Sequence, residues 1–135
     1  MFCNLMTDQC VILAGGIGSR LGKITKKTPK PLMKVNGKTV IEHIIKNLSR
    51  FGISEILLLC GYKHILFKKK FHNKVFFGVH IKCIIEKKIL GTSGALLNAK
   101  NYLKNFFIYC NGDTFFDINL NDLTSNFFKK KLIAL

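Results

Sequence analysis

A glycine-rich stretch followed by isolated cationic side chains carries most of the chemistry that this sequence suggests. The segment Gly15–Gly18 contains three glycines after a short apolar run, and glycine lets a bulky anion approach the main chain closely. Ser19 and Arg20 come next and offer a hydroxyl and a charged fork of donors, both suited to phosphate. Ten residues after Arg20, Lys30 stands between two prolines that stiffen its backbone. This combination predicts a binding site for a triphosphate.

Two common phosphate-binding motifs do not fit this stretch. The P-loop requires G-x-x-x-x-G-K-[ST], but Ile24 follows Gly22-Lys23 where serine or threonine belongs. The Rossmann fingerprint requires G-x-G-x-x-G, whereas Gly16, Gly18 and Gly22 are spaced as G-x-G-x-x-x-G. A plain turn between a strand and a helix is the alternative for the glycines alone. The arginine and the Pro-Lys-Pro sequence that follow them disfavour that alternative.

Segments that alternate between strand and helix patterns position these residues. The predicted strands are Val11–Ala14, Glu55–Cys60, Val79–Glu86 and Phe106–Cys110, with the start of another at Leu132–Leu135. The predicted helices are Val40–Phe51 after an N-cap at Thr39, Ile65–Phe71, Ser93–Leu103 after a turn at 91–94, and Leu120–Lys130. Such alternation predicts an α/β fold with a parallel sheet and right-handed crossovers. The glycine-containing turns would gather at one sheet edge, where ligands bind in such folds.

The net charge of +15 raises the question of a nucleic-acid partner. Only two of the 22 basic residues are arginine, the side chain that base-reading proteins favour for bidentate contacts. The lysines accompany many asparagines, isoleucines and phenylalanines, which indicates a genome-wide compositional bias rather than a basic binding face. We therefore expect no nucleic-acid partner, and a basic RNA-binding protein is the least favoured alternative.

The cysteines and the apolar runs indicate a protein of the reducing cytoplasm. Five cysteines, at positions 3, 10, 60, 83 and 110, form no C-x-x-C motif and have no histidine at zinc-ligand spacing, so we expect small buried apolar residues. The first residues lack the pattern of a secretory signal, and no run approaches the about 20 apolar residues of a membrane span. We expect no membrane partner.

Three segments resemble the sugar-phosphate nucleotidyltransferases, the pyrophosphorylases that make nucleotide sugars. They are LAGGIGSRLGKITKKTPKPL, EKKILGTSGAL and NGDTFFDI, and the resemblance covers nearly the whole chain from Gln9. It implies a three-layer, Rossmann-like, mostly parallel sheet, the nucleotide-diphospho-sugar transferase fold. It also implies that residues 1–135 are one domain, the N-terminal nucleotide-binding part of a nucleotidyltransferase, incomplete at the C-terminus.

The resemblance also implies roles for individual residues. Arg20 would hold the departing phosphates, Lys30 would bridge the α-phosphate and the sugar phosphate, and Asp113 would hold Mg²⁺. The implied catalytic residues are thus Arg20, Lys30 and Asp113, and the implied nucleotide-binding residues are Leu13, Ala14, Gly15, Gly16, Gly18, Ser19, Glu86, Gly91 and Thr92. Without the resemblance, Asp113 also fits a helix cap or an Asx turn, and Glu86 also fits an ordinary charge at a strand end.

The motifs LGTSGA and NGDTFFDI most resemble the branch that acts on manno-configured heptose 1-phosphates with GTP. That branch implies nucleotide-sugar synthesis for lipopolysaccharide or capsule, while other branches use hexose phosphates with UTP or dTTP. The family pattern continues past Leu135 with further strands and a second metal-binding aspartate. The alternatives are therefore the front part of a longer enzyme or a catalytically inactive nucleotide-binding remnant, whose uncovered edge would permit a homo-oligomer.

Overall fold

A computed structural model describes residues 7–16, 27–88, 91–131 and 133, and a five-stranded sheet forms their centre. Numbered in chain order, its strands are β1 (Gln9–Leu13), β4 (Glu55–Cys60), β5 (Lys74–Phe76), β6 (Val79–Ile85) and β7 (Ile108–Asn111). The spatial order is β5-β6-β4-β1-β7, and every neighbouring pair is parallel except β5 with β6. Two further strands, β2 (Lys34–Val35) and β3 (Lys38–Thr39), form a separate antiparallel hairpin.

Helices cover both faces of the sheet. They are α1 (Val40–Ser49), α2 (His64–Phe71), α3 (Gly91–Asn98) and α4 (Leu120–Lys129). Residues of α1, α2 and α4 share one buried cluster with Cys10 and Ile12 of β1, whereas Ala95 of α3 packs with Val11 on the opposite face. This three-layer arrangement confirms the predicted α/β fold with a mostly parallel sheet. In the part of the chain described, no helix has the length and apolar character needed to cross a membrane.

A capping box fixes the start of α1 at the predicted N-cap. The Thr39 hydroxyl accepts a hydrogen bond from the Glu42 N–H, and the Thr39 N–H donates to Glu42 Oε2. Lys70 of α2 lies 2.8 Å from the same carboxylate and joins the two helices. Burial alone would raise the pKa of Glu42, but the bonds from Lys70 and Thr39 outweigh it and lower that pKa to about 2.

The segment between β6 and β7 differs from the sequence prediction. The helix begins at Gly91, so the predicted turn is its first turn, and it ends at Asn98 rather than Leu103. A short 3-10 helix, Lys100–Tyr102, follows. The Asn98 side chain donates to the Ile85 carbonyl at 3.1 Å, which ties the end of α3 to the sheet and favours termination there. Of the predicted strand start at Leu132–Leu135, all but Ile133 lies outside the described residues.

Strand β5 is absent from the sequence prediction. Its three residues are too few for a detectable alternating pattern, and it pairs antiparallel with β6 through a tight turn. The two turn residues, Phe77 and Gly78, both have positive φ, of 53° and 79°. Phenylalanine rarely adopts that conformation, so the sequence does not indicate a hairpin at this position.

Among the four described cysteines, Cys10, Cys60 and Cys83 are buried as predicted, whereas Cys110 is half-buried. The sulfurs of Cys10 and Cys110 lie 3.9 Å apart, and Cys110 beside it together with burial raises the pKa of Cys10 well above its usual range. Cys10 is paired in register with Ile108, so Cys110 is offset by two positions. Across a parallel pair, an offset of two positions adds about 6.6 Å along the strands to the about 4.8 Å between them. The Cα atoms therefore lie about 8 Å apart, beyond the about 7 Å that a disulfide spans without backbone movement. We therefore assign these thiols a packing role.

Candidate active site

A small cleft, here called the nucleotide cleft after the nucleotide site that the sequence predicts, opens where β1 and β7 end and brings together two of the predicted catalytic residues. Lys30 Nζ lies 4.0 Å from Asp113 Oδ2, and the two side chains are 31% and 42% exposed. The cleft has a volume of about 220 Å³ and is lined by Leu13, Ala14, Gly16, Lys30, Pro31, Asn111 and Asp113. A lysine and a carboxylate at the carboxyl ends of parallel strands can hold a phosphate and its metal ion.

The backbone around Lys30 is rigid. Pro29 and Pro31 flank it, and the Leu32 N–H donates to the Pro29 carbonyl at 2.9 Å. The Met33 carbonyl accepts a hydrogen bond from the Val40 N–H at 3.0 Å, which attaches this turn to the start of α1. Pro31 is buried while Lys30 is only half-buried. The Lys30 amine therefore reaches the cleft from a main chain that is held in place.

Glycines let three loops approach one another closely beneath the cleft. A Cβ on Gly15 would lie 3.0 Å from Glu86 Oε1 and 3.2 Å from the Gly61 nitrogen. A Cβ on Gly112 would lie 3.0 Å from the Leu13 carbonyl oxygen, to which the Gly112 N–H donates at 2.8 Å. A side chain at either position would force its neighbours to move by a few tenths of an ångström, so this packing favours glycine.

Glu86 and Thr92 lie on the α3 side of the same strand ends. Glu86 is 8% exposed and its carboxylate sits against Gly15, while Thr92 is exposed in the first turn of α3. Tyr109 of β7 is close to both: burial raises its pKa, and Thr92 beside its hydroxyl opposes part of that rise. A buried carboxylate beside Gly15 and the first turn of α3 therefore lie at the same strand ends.

The structure places most of the predicted site residues at this one sheet edge. Lys30 and Asp113 meet in the nucleotide cleft together with Leu13, Ala14 and Gly16. Gly15 and Glu86 adjoin each other just beyond it. Gly91 and Thr92 begin α3 after β6. Gly18, Ser19 and Arg20 lie outside the described residues, so the predictions for them stand untested.

Sequence reasoning missed Asn111 and Pro31 as lining residues of the cleft. The position of Asn111 could have indicated it, because this residue ends β7 only two residues before Asp113. Pro31 was noted only as a stiffening residue. Its burial beside Lys30 shows that it also forms part of the wall.

The fold and the cleft together describe an α/β domain in which a lysine and an aspartate meet at the carboxyl ends of the parallel strands. The defining pattern of the family described as Nucleotidyl transferase matches residues 9–134, so the chain belongs to that family. This confirms the resemblance inferred from the three sequence motifs.

Individual relatives agree with this assignment. The chain is 43% identical over 118 residues to a D-glycero-alpha-D-manno-heptose 1-phosphate guanylyltransferase of Campylobacter jejuni, covering 87% of this chain and 53% of that protein. It is 33% identical, with a TM-score of 0.75, to the crystal structure of HddC from Yersinia pseudotuberculosis complexed with GMP-PN, covering 88% of this chain and 53% of that one. A putative glucose-1-phosphate thymidylyltransferase of Bacillus anthracis gives 29% identity and a TM-score of 0.79, covering 91% of this chain and 51% of that one. The chain spans about half the length of these relatives.

Proposed function

We propose that this chain forms the nucleotide-binding part of an enzyme that joins GTP to a manno-heptose or hexose 1-phosphate. The observation that supports this most directly is the 4.0 Å approach of Lys30 and Asp113 in a cleft at the ends of β1 and β7. The products would be a nucleotide-sugar and pyrophosphate. We place the reaction in the cytoplasm, as a supplier of activated sugar for lipopolysaccharide or capsule synthesis, with no nucleic-acid partner.

In the proposed reaction an oxygen of the sugar 1-phosphate attacks the α-phosphorus of the triphosphate. The new P–O bond forms as the bond from the α-phosphorus to the bridging oxygen of the β-phosphate breaks, and pyrophosphate leaves with that electron pair. Lys30 would place its positive charge between the two reacting phosphates, while Gly15, Gly16, Gly18 and Ser19 would wrap the nucleotide and Arg20 would hold the departing phosphates. Removal of one such donor typically lowers the rate by about 10²–10³. Positioning and charge neutralisation therefore account for the catalysis.

Asp113 fits the proposed role of a Mg²⁺ ligand. Among residues 7–16, 27–88, 91–131 and 133, no three or more histidine, cysteine, aspartate or glutamate side chains cluster as a metal cage. Mg²⁺ commonly binds through one or two carboxylates together with substrate phosphates and water, which suits a single carboxylate at the mouth of a phosphate cleft. The bound ion would neutralise charge on the triphosphate. Asp113, with the side-chain oxygen of Asn111 nearby in the cleft, would hold it.

Glu86 supports guanine as the base. Guanine presents two adjacent donors, the ring N1–H and the exocyclic amino group, and a carboxylate can accept from both. Uracil and thymine present one N–H between two carbonyl oxygens, which would meet the carboxylate with repulsion. Because Glu86 is 8% exposed, a base that cannot donate to its carboxylate would lose more binding free energy there than beside a solvated carboxylate. Gly91 and Thr92 would face the ribose.

Calorimetric titration with Mg²⁺ and GTP, UTP, dTTP or guanosine tests the proposal. We expect GTP to bind at least tenfold more tightly than UTP, and Arg20→Ala to weaken GTP binding at least tenfold through lost phosphate contacts. Glu86→Gln should narrow the preference for GTP over UTP, while the exposed control Lys34→Ala should leave every affinity unchanged. Equal affinities for GTP and guanosine would refute the phosphate-binding role.

Pyrophosphate release with a panel of sugar 1-phosphates separates an enzyme from a binding remnant. Turnover with a manno-heptose or hexose 1-phosphate supports the transferase. Tight Mg²⁺-dependent GTP binding, with no pyrophosphate released in the presence of any sugar 1-phosphate, would instead support the non-catalytic alternative. The chain matches about half the length of its relatives, which is the reason for testing that alternative.

A further inference from the structure

Helix α1 carries one buried amide among its apolar side chains. Asn47 is 6% exposed and lies beside Ile44 and Leu48, which belong to the buried cluster beneath the helix. Asparagine forms helix less readily than leucine, and an amide removed from water lowers stability unless it is hydrogen-bonded. An apolar residue would suit this position better for packing alone, so the partner of the Asn47 amide is of interest.

The Asn47 amide reaches the loop that carries Asp113. Its Nδ2 donates a hydrogen bond to the Phe116 carbonyl at 3.0 Å, although the two residues lie 69 positions apart in the chain. The loop joins β7 to α4, and its residues 113–115 and 117–119 are exposed. Within the described part of the chain, this is the hydrogen bond that attaches the loop after Asp113 to another element of the fold.

The start of α1 is attached to the turn that carries Lys30. The Val40 N–H donates to the Met33 carbonyl at 3.0 Å, and the Met33 N–H donates to the Lys30 carbonyl at 3.0 Å. Asn47 follows Val40 by two helical turns, which is about 10 Å along the helix axis. One helix therefore contacts both segments whose side chains meet in the nucleotide cleft, the turn at Lys30 and the loop at Asp113.

The loop is anchored at Phe116 rather than at Asp113. Asp113 Oδ1 accepts a hydrogen bond from the Thr114 hydroxyl at 3.2 Å, and a bond inside the loop does not fix the loop relative to Lys30. The Phe116 ring packs against the buried cluster, while its carbonyl accepts from Asn47. The 4.0 Å approach of Asp113 to Lys30 therefore depends on an attachment three residues away.

We infer that Asn47 is a positioning residue of the nucleotide cleft: by holding Phe116, it sets where the Asp113 carboxylate lies relative to the Lys30 amine. This geometric role holds whichever nucleotide and sugar the cleft accepts. A second consequence rests on the proposed function. There the carboxylate would meet Mg²⁺ at a fixed distance from the phosphate that Lys30 binds.

Zero-length cross-linking tests the geometric role without nucleotide or metal. A carbodiimide joins an amine to a carboxylate only where the two groups already meet, so the parent chain should yield a Lys30–Asp113 amide by peptide mapping. In Asn47→Leu, which loses the donor at similar size, we expect that yield to fall at least fivefold. The pair of Lys104 with Asp8, 2.6 Å apart, lies at the opposite end of β1 and should cross-link equally in both chains.

Deuterium exchange and thermal unfolding separate this role from folding. Asn47→Leu should speed exchange of residues 112–118 at least tenfold, with an unfolding temperature at or above that of the parent, because leucine suits a buried helical position. Asn47→Ala removes the donor without adding bulk and should speed exchange in the same way. Asn126→Leu is the matched control, since the Asn126 amide donates to the Asp122 carbonyl inside α4, and it should change neither exchange nor cross-linking.

Calorimetry at several Mg²⁺ concentrations tests the consequence for the proposed function. Asn47→Leu should raise the Mg²⁺ concentration that gives half-maximal GTP affinity at least fivefold, and Asn126→Leu should leave it unchanged.

The outcomes separate the inference from the proposed function. A parent chain without the Lys30–Asp113 cross-link, unchanged exchange in both Asn47 variants, or an equal effect of Asn126→Leu would overturn the inference. A lower cross-link yield with an unchanged Mg²⁺ requirement would contradict the proposed role of Asp113 as a metal ligand and leave the positioning role standing. A parent chain that binds no GTP would likewise contradict the proposed function alone.

Discussion

The nucleotide cleft and a larger concave surface, which we call the edge groove, adjoin the same strand, β7, but they are built in opposite ways. The cleft is small because glycines bring main chains together, and its chemistry comes from one amine and one carboxylate. The groove, at the outer edge of β7, has a volume of about 390 Å³ and is lined chiefly by Phe106, Ile108, Tyr109, Leu123, Phe127 and Phe128. Small residues set the shape of the cleft and leave room for a compact anion, whereas large apolar residues set the shape of the groove. Substitutions at the two places should therefore fail in different ways.

The largest effect should come from the charged pair in the cleft. Lys30→Ala should lower the rate of pyrophosphate release about 10²–10³-fold relative to the parent, because the charge between the reacting phosphates is lost. Lys34→Ala, which removes a lysine from the exposed β2–β3 hairpin, is the control and should lie within about twofold of the parent. A loss below tenfold for Lys30→Ala, with an unchanged circular dichroism spectrum, would show that the cleft is not where the phosphates react.

Alanine replacements should destabilise the protein at the glycines near the cleft that have close neighbours, and not at the one that has none. Gly15→Ala and Gly112→Ala should each lower the free energy of unfolding by about 1–3 kcal/mol, because the added methyl meets main-chain or carboxylate atoms at 3.0 Å. Gly16→Ala has nothing within 4 Å of its new Cβ and should stay within about 0.5 kcal/mol. Urea denaturation gives these values. Equal destabilisation at all three positions would contradict the role assigned to close packing.

A smaller effect, on stability at low pH, should come from the contact between α1 and α2, away from both surfaces. The pKa of Glu42 is depressed to about 2 from 4.5, so its contribution to stability is fully present above about pH 4.5 and is lost as the pH falls towards 2. We expect a loss of about 1–3 kcal/mol over that range, allowing for partial exposure of Lys70. Glu42→Gln should flatten this part of the pH profile of thermal unfolding. An unchanged slope would assign the acid sensitivity to other carboxyl groups.

The smallest effect should come from the buried thiols between β1 and β7. Treatment of the native chain with diamide should produce no Cys10–Cys110 disulfide by non-reducing peptide mapping, because their strand register keeps the main chains too far apart. The same treatment in denaturant should oxidise both residues freely. A native cross-link would mean that this part of the sheet shifts more than its packing indicates.

Local signals predicted much of the fold. The uninterrupted apolar run of β4 was predicted with its observed bounds, and Thr39 was predicted as the cap of α1 because its chemistry acts within three residues. Strand β5 was missed since it forms only as the partner of β6, and the end of α3 was misplaced because a tertiary contact from Asn98 influences it. Signals that depend on residues far apart in the chain are not visible in a local pattern.

The candidate site shows the same difference between local signals and contacts that are distant in the sequence. The sequence singled out Lys30 and Asp113, but their 4.0 Å approach depends on the order of strands, in which β7 lies beside β1. The edge groove was not predicted, because no single segment contains it: β7, α3 and α4 each supply one wall. Residue types indicated the chemistry, and the topology of the sheet determined which residues meet.

Tyr109 belongs to both surfaces, and this has a thermodynamic consequence. Its ring lines the edge groove while its hydroxyl lies beside Thr92, at the start of the helix proposed to face the ribose. A ligand that fixes the ring in the groove would also bias the position of Thr92, and a ligand that fixes Thr92 would bias the ring in return. Linkage requires the two coupling factors to be equal, so each ligand should change the affinity of the other by the same factor. In the Tyr109→Phe variant the two factors should shrink together, towards one.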